Sequence, residues 1–120
     1  IAEWCLTGII LIFLGIQEKL MPAYWLARAK INDPIAYKQY TDQVPKIIGA
    51  HGGKVLGRGG KFKILEGPEK FERFVVIEFP SLEAAEKCWA SEEYQNAAKH
   101  RKNGVGENEL VILEAGEFTK

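Results

Sequence analysis

Cysteine and histidine are scarce in this chain of 120 residues, and there is a single methionine. The two cysteines, Cys5 and Cys88, form no CxxC pair. That excludes a disulfide framework and a zinc site built on paired thiolates. His51 and His100 are far apart in sequence, so a His/Cys metal centre is not expected. Cys88 is read as a small buried apolar residue, and this cysteine usage suits the reducing cytoplasm. Excess charge is missing too: 16 basic and 16 acidic side chains give zero net charge. The chain therefore lacks the basic footprint of a nucleic-acid binder and the basic cluster that draws proteins to acidic membranes. No GxSxG, HExxH or Walker motif occurs. Gly57-Arg58-Gly59-Gly60 superficially suggests a phosphate loop, but no helix follows to bind the phosphate.

Long apolar runs are also missing. The run Cys5–Ile16 is shorter than the roughly 20 residues a bilayer span needs. It has no basic stretch before it and no small-x-small cleavage site after it, as a secretory signal would. The only methionine, Met21, stands where the folded pattern begins. The expectation is an N-terminal extension over 1–20, non-native or upstream of the true start, followed by one domain over 21–120. The alternatives for 1–20 are an interfacial or partner-binding helix and a degraded signal or anchor.

What remains is an ordered set of elements. Ala23–Ile31 is rich in aromatic and aliphatic residues and reads as a strand. Asp33 and Pro34 start a helix, Tyr37, Tyr40, Val44, Ile47 and Ile48 form its apolar stripe, and Gly52-Gly53 ends it. Pro45 should bend this helix or end it early. Lys54–Arg58 is a second strand, which Gly59-Gly60 kinks and Lys61–Leu65 continues. Arg73–Phe79 is the clearest strand. Ser81 caps a helix with Leu82, Ala85 and Trp89 on one face, Ser91 restarts or bends it, and Tyr94, Ala97 and Ala98 continue that face. Glu109–Ala115 is the last strand.

The order β-α-β-β-α-β predicts an α+β, ferredoxin-like domain. Its four-stranded antiparallel sheet has strand order 4-1-3-2, with two helices on one face. The other face also carries Val, Phe and Ile side chains. A second copy of the sheet would cover it, so a homodimer closing an α/β barrel is expected.

Several short motifs accompany this order: Met21-Pro22-Ala23-Tyr24-Trp25, Asp33-Pro34 with Tyr37 and Tyr40, His51-Gly52-Gly53, Arg58-Gly59-Gly60, Glu66-Gly67, Arg73 with Ile77-Glu78-Phe79-Pro80-Ser81, Trp89, and Ser91 with Tyr94. Together they resemble the bacterial "domain of unknown function 1330" family of the dimeric α/β-barrel superfamily, over residues 21–115. The resemblance implies a ferredoxin-like fold and a barrel-forming dimer. That superfamily also holds cofactor-free monooxygenases, haem-degrading enzymes, muconolactone isomerase and stress-induced proteins. For this family it brings no established activity.

Three groups of residues suggest chemistry. With strands one and three parallel neighbours, Arg28 comes level with Glu78, and Arg58 borders them. Such a set would hold an anion, with Glu78 as a base; the plainer alternative is a structural ion pair at the dimer interface. His51, at the end of the first helix, would serve as an acid or base, or is simply an exposed helix-end residue. His100, between Lys99 and Arg101, reads as part of a solvated face. Tyr24, Trp25, Tyr37, Tyr40, Trp89 and Tyr94 would line a pocket for a planar molecule or form the core, with Trp89 the most core-like. The leading expectation is an enzyme without metal or organic cofactor, of oxygenase, isomerase or lyase type, acting on a small carbonyl-containing or aromatic compound. The alternatives are a non-catalytic ligand-binding or stress-associated dimer and a structural protein. A cavity reached by His51 or Arg58 would favour the enzyme.

Overall fold

Alternation sets the first strand: Ala23, Trp25, Ala27 and Ala29 point to one side, and Tyr24, Leu26 and Arg28 to the other. This is β1, Ala23–Ile31. The structure, a computed structural model, describes residues 21–116. The expectation for residues 1–20 lies outside them. Helix α1 covers Pro34–Ala50. It starts where the Asp33 carboxylate accepts the Ala36 amide at 3.1 Å and Pro34 presets the first turn. Strand β2 is Lys54–Arg58 and β3 is Arg73–Phe79. The Ser81 hydroxyl caps α2, Leu82–Ala90, and the Ser91 hydroxyl caps α3, Glu92–Ala98. A 3-10 turn over Lys99–Arg101 leads towards β4, Gly106–Glu114.

The sheet order is β2-β3-β1-β4, and all neighbours are antiparallel. This is the expected ferredoxin-like arrangement. One side of the sheet packs on the helices around Trp25, Ile48, Ile77, Phe79, Ala85, Cys88, Tyr94 and Ala98. Trp25 stacks on Phe79 and meets Tyr94 edge-on, with ring centroids 5.6 and 5.2 Å apart. Such pairs add about 0.5–1.5 kcal/mol beyond their buried area. Cys88 is buried in this core, which pushes its thiol up to about 11. It stays protonated and inert at neutral pH.

Among the described residues no helix covers the other side of the sheet, although the Phe62 ring lies against Phe74 there with centroids 4.9 Å apart. Leu26, Val111 and Leu113 are 38%, 61% and 55% exposed. Among the described residues, no helix is long and apolar enough to cross a membrane.

β4 begins at Gly106, three residues before the expected Glu109, because its pairing with β1 extends to Ile31. Five further local expectations change. First, β1 and β3 are antiparallel, so Arg28 pairs with Phe74 and Tyr24 with Glu78. A crossover helix returns β2 in the direction of β1, and the connection to β3 then reverses the chain. Second, α1 runs through Pro45 to Ala50. Burial of Ile48, with Val44 and Ile47 packed on the core, outweighs one missing helical hydrogen bond. Third, residues 61–65 are not a strand. β2 pairs only with the Val75–Glu78 part of β3, and its irregularity lies between Val55 and Gly57. Gly59 then adopts a left-handed φ of 69°, and the chain leaves the sheet. Fourth, Trp89 is 49% exposed. Ala85 and Cys88, three residues apart, take the buried stripe of α2, and Trp89 lies one position around the helix. Fifth, Arg101 is half-buried and not part of a solvated face, whereas His100 is exposed.

Candidate functional site

Between α1 and the sheet a narrow cleft remains. Tyr37, Tyr40, Thr41, Val44 and Ile48 line it from α1. The sheet supplies Trp25, Ala27, Ala29, Val75 and Ile77 as an apolar floor. Arg58 of β2, Arg73 of β3 and Asn108 of β4 add polar groups at its margin, and Arg28 of β1 borders it. The cavity is about 40 Å³, enough for a few waters. A larger ligand must therefore use the mouth beside the exposed Arg58, or part α1 from the sheet.

Among the described residues, no carboxylate lines this cleft. Arg58 and Arg73 thus dominate its electrostatics. Arg28 is engaged elsewhere: its Nη2 lies 2.7 Å from the Glu109 carboxylate, and its guanidinium sits 4.2 Å from the Phe71 ring centroid.

Two hydrogen-bonded groups hold the tyrosines. Asn108 donates Nδ2 to the Tyr37 hydroxyl at 2.8 Å, and its buried Oδ1 has no hydrogen-bond partner among the described residues. Tyr40 and Tyr94 hydroxyl oxygens lie 2.8 Å apart, and Arg101 donates Nη2 to Tyr94 at 3.4 Å. The Arg101 guanidinium also lies 5.1 Å from the Tyr40 ring centroid. Burial raises the Tyr37 hydroxyl above its ordinary range, although the Asn108 hydrogen bond works the other way. Burial, helped by neighbouring Tyr94, raises Tyr40 much further against the opposing effect of Arg101. Burial disfavours the charge on Arg101, but Tyr94 and Tyr40 outweigh it and hold the guanidinium above its usual range. All these groups keep their protons near neutrality. The phenols can donate hydrogen bonds but make poor bases.

The Tyr40 shift has a testable sign. Its proton is held more tightly in the fold than at the ordinary tyrosine value of 10.0. The neutral phenol therefore stabilises the fold fully below that value, and this contribution is lost as pH rises beyond it. Urea melts should show a steeper loss of stability above about pH 10 in wild type than in Tyr40→Phe. Parallel curves would mean that Tyr40 does not carry the dependence.

The structure brings Arg58, Tyr37 and Tyr40 to one cleft, with Tyr94 directly behind Tyr40. It separates them from Tyr24 and Glu78, which face each other on the bare side of the sheet beside Lys54. His51 caps α1 and donates Nδ1 to the Ile47 carbonyl at 3.0 Å. It lies near the Phe79 end of β3, where Gly52 faces Pro80. Arg73 is at the opposite end of that strand, roughly 20 Å away along an extended chain. Arg28 and Glu78 make no pair, because the antiparallel register puts them four positions apart.

Sequence reasoning missed the roles of Arg73, Asn108 and Arg101. For two of them a signal existed. Arg73 shares parity with Val75, Ile77 and Phe79, and Asn108 with Leu110 and Ile112, so alternation places both on the helix side. Among the described residues, no cluster of three or more His, Cys, Asp or Glu side chains could hold a metal.

Solved structures share this architecture. A protein of unknown function from Rhodopseudomonas palustris is 23% identical, with TM-score 0.63, covering 88% of this chain and 90% of its own. A dimeric ferredoxin-like protein of unknown function from Thermobifida fusca is 15% identical, with TM-score 0.57, covering 78% and 91%. The cofactor-independent oxygenase SnoaB from Streptomyces nogalater is 12% identical, with TM-score 0.55, covering 81% and 95%. Among curated proteins none matches this chain. At these identities the likeness is one of fold. The model of the domain of unknown function DUF1330 matches residues 22–115, nearly the whole described domain, and the chain belongs to that family.

Proposed function

We propose that the protein is a homodimeric enzyme acting on a small anionic or carbonyl-bearing compound without a metal or organic cofactor, as an oxygenase, isomerase or lyase would. One observation carries this reading: Arg58 and Arg73 border a cleft that Tyr37, Tyr40 and Thr41 also line and that, among the described residues, no carboxylate lines. Guanidinium groups and phenol donors in a partly dehydrated cleft favour an oxyanion over its neutral parent. An enolate or phenolate would gain from both. The bare apolar sheet face supports the dimer, as does the dimeric state of the T. fusca relative.

On this reading Arg58, Tyr37 and Tyr40 hold the ligand. Tyr24 and Glu78 belong to the dimer face, and His51 to the helix end. A second reading, ligand binding without turnover, is favoured by one feature. Among the described residues, neither an imidazole nor a carboxylate lines the cleft to move a proton.

Titration with benzoate as a probe anion tests the site. Arg58→Ala should weaken binding by about tenfold or more, and His51→Ala should leave it unchanged. Equal binding by wild type and Arg58→Ala would remove the assignment. Mass spectrometry of enolisable carbonyl compounds incubated with the protein separates the two readings. New products indicate an enzyme, and ligand recovered unchanged indicates a binder.

A further inference from the structure

The hydroxyl pair behind the cleft has a direction. Arginine can only donate, so the Tyr94 oxygen accepts from Arg101. Tyr94 is 1% exposed, and among the described residues its own proton has one acceptor, the Tyr40 oxygen at 2.8 Å. Were Tyr40 to donate to Tyr94 instead, the buried Tyr94 proton would be left unpaired, at a cost. The chain therefore runs from Arg101 to Tyr94 to Tyr40. The Tyr40 proton has to turn away from Tyr94, and Tyr40 lines the cleft. The same polarity recurs at Tyr37, whose oxygen accepts from Asn108 Nδ2.

We propose that Arg101 is a positioning residue which, through Tyr94, holds the Tyr40 hydroxyl with its hydrogen turned into the cleft, so that the site selects carboxylate or carbonyl oxygens over hydrogen-bond donors. This rests on the cleft being the ligand site. Arg101 touches no ligand on this account. It fixes the sign of the site's hydrogen bonding from behind, and its place above the Tyr40 ring reinforces that geometry.

Neutron diffraction from crystals of the deuterated full chain tests the polarity without any ligand. The Tyr94 deuteron should lie on the line to Tyr40, and the Tyr40 deuteron should point into the cleft. The opposite orientation overturns the proposal, whatever the cleft binds. Binding then tests the selectivity. Wild type should prefer benzoate to benzamidinium, the isosteric ion that can only donate, and Arg101→Met should reduce that ratio by about tenfold. Arg101→Lys should restore part of it, which a purely structural defect would not do. An unchanged ratio in Arg101→Met refutes the positioning role. Wild type that takes no benzoate at all counts against the ligand site itself, and the neutron result still decides the hydrogen-bond direction.

Discussion

Replacing Val111 with aspartate is expected to halve the mass of the particle in solution. Val111 stands midway along the edge strand β4 on the exposed sheet face, paired in register with Leu26 and 61% exposed. Tyr24, Leu26, Phe74, Val76 and Leu113 share that face by strand alternation. If a second sheet covers it, wild type should scatter light as twice the 13.5 kDa chain. A carboxylate at Val111 would then be taken out of water with no partner, a penalty of several kcal/mol per ion. Two such groups enter each dimer, so dissociation should be near complete at micromolar concentration. Ile35→Asp is the control. Ile35 is 84% exposed in the first turn of α1, where an acidic residue suits the helix end. It should leave the mass unchanged. A wild type of single-chain mass would refute the dimer, and an intact Val111→Asp dimer would place the interface on another surface.

The second large effect is expected at Gly53. A methyl group there would sit 2.5 Å from Ile48 Cγ2 and 2.9 Å from the Phe79 ring. Both neighbours are core side chains, 3% and 0% exposed, and neither is a flexible end that can swing aside. Gly53→Ala should cost about 1–3 kcal/mol by overpacking the junction of α1 and β2. Equilibrium urea unfolding would read this as a lower midpoint at constant slope. Gly60→Ala, with open space at its Cβ, should be close to neutral. Equal stability of Gly53→Ala and wild type would show that this junction yields. The site gives the substitution added interest. Ile48 also lines the cleft, so a shifted α1 should alter ligand affinity together with stability.

Much of the fold was legible in the residues because its causes are local. Asp33-Pro34 and Ser81 mark helix starts through their own backbone partners three residues on. Ser91 both closes α2 and caps α3, as its position between two apolar stripes suggests. The 4-1-3-2 order follows from element sequence and connection rules. The site was less legible. Tyr37 and Tyr40 fall on the helix stripe, so their place on the cleft could be read. Their partners could not: Asn108 is 71 residues from Tyr37, and Tyr94 is 54 from Tyr40.

The sequence by itself determined the order and type of the elements, the starts of the helices and of the first three strands, and hence the α+β layering, since these depend on neighbouring residues and on periods of 2 and 3.6. Tertiary structure alone decided the register of β1 on β3, which sets Arg28 opposite Phe74 and parts it from Glu78. It also decided that Trp89 turns outwards and that Arg101 stands behind Tyr94. The physical reason is that strand register and side-chain partnership arise from contacts between distant segments. Those contacts form only when the sheet closes against the helices.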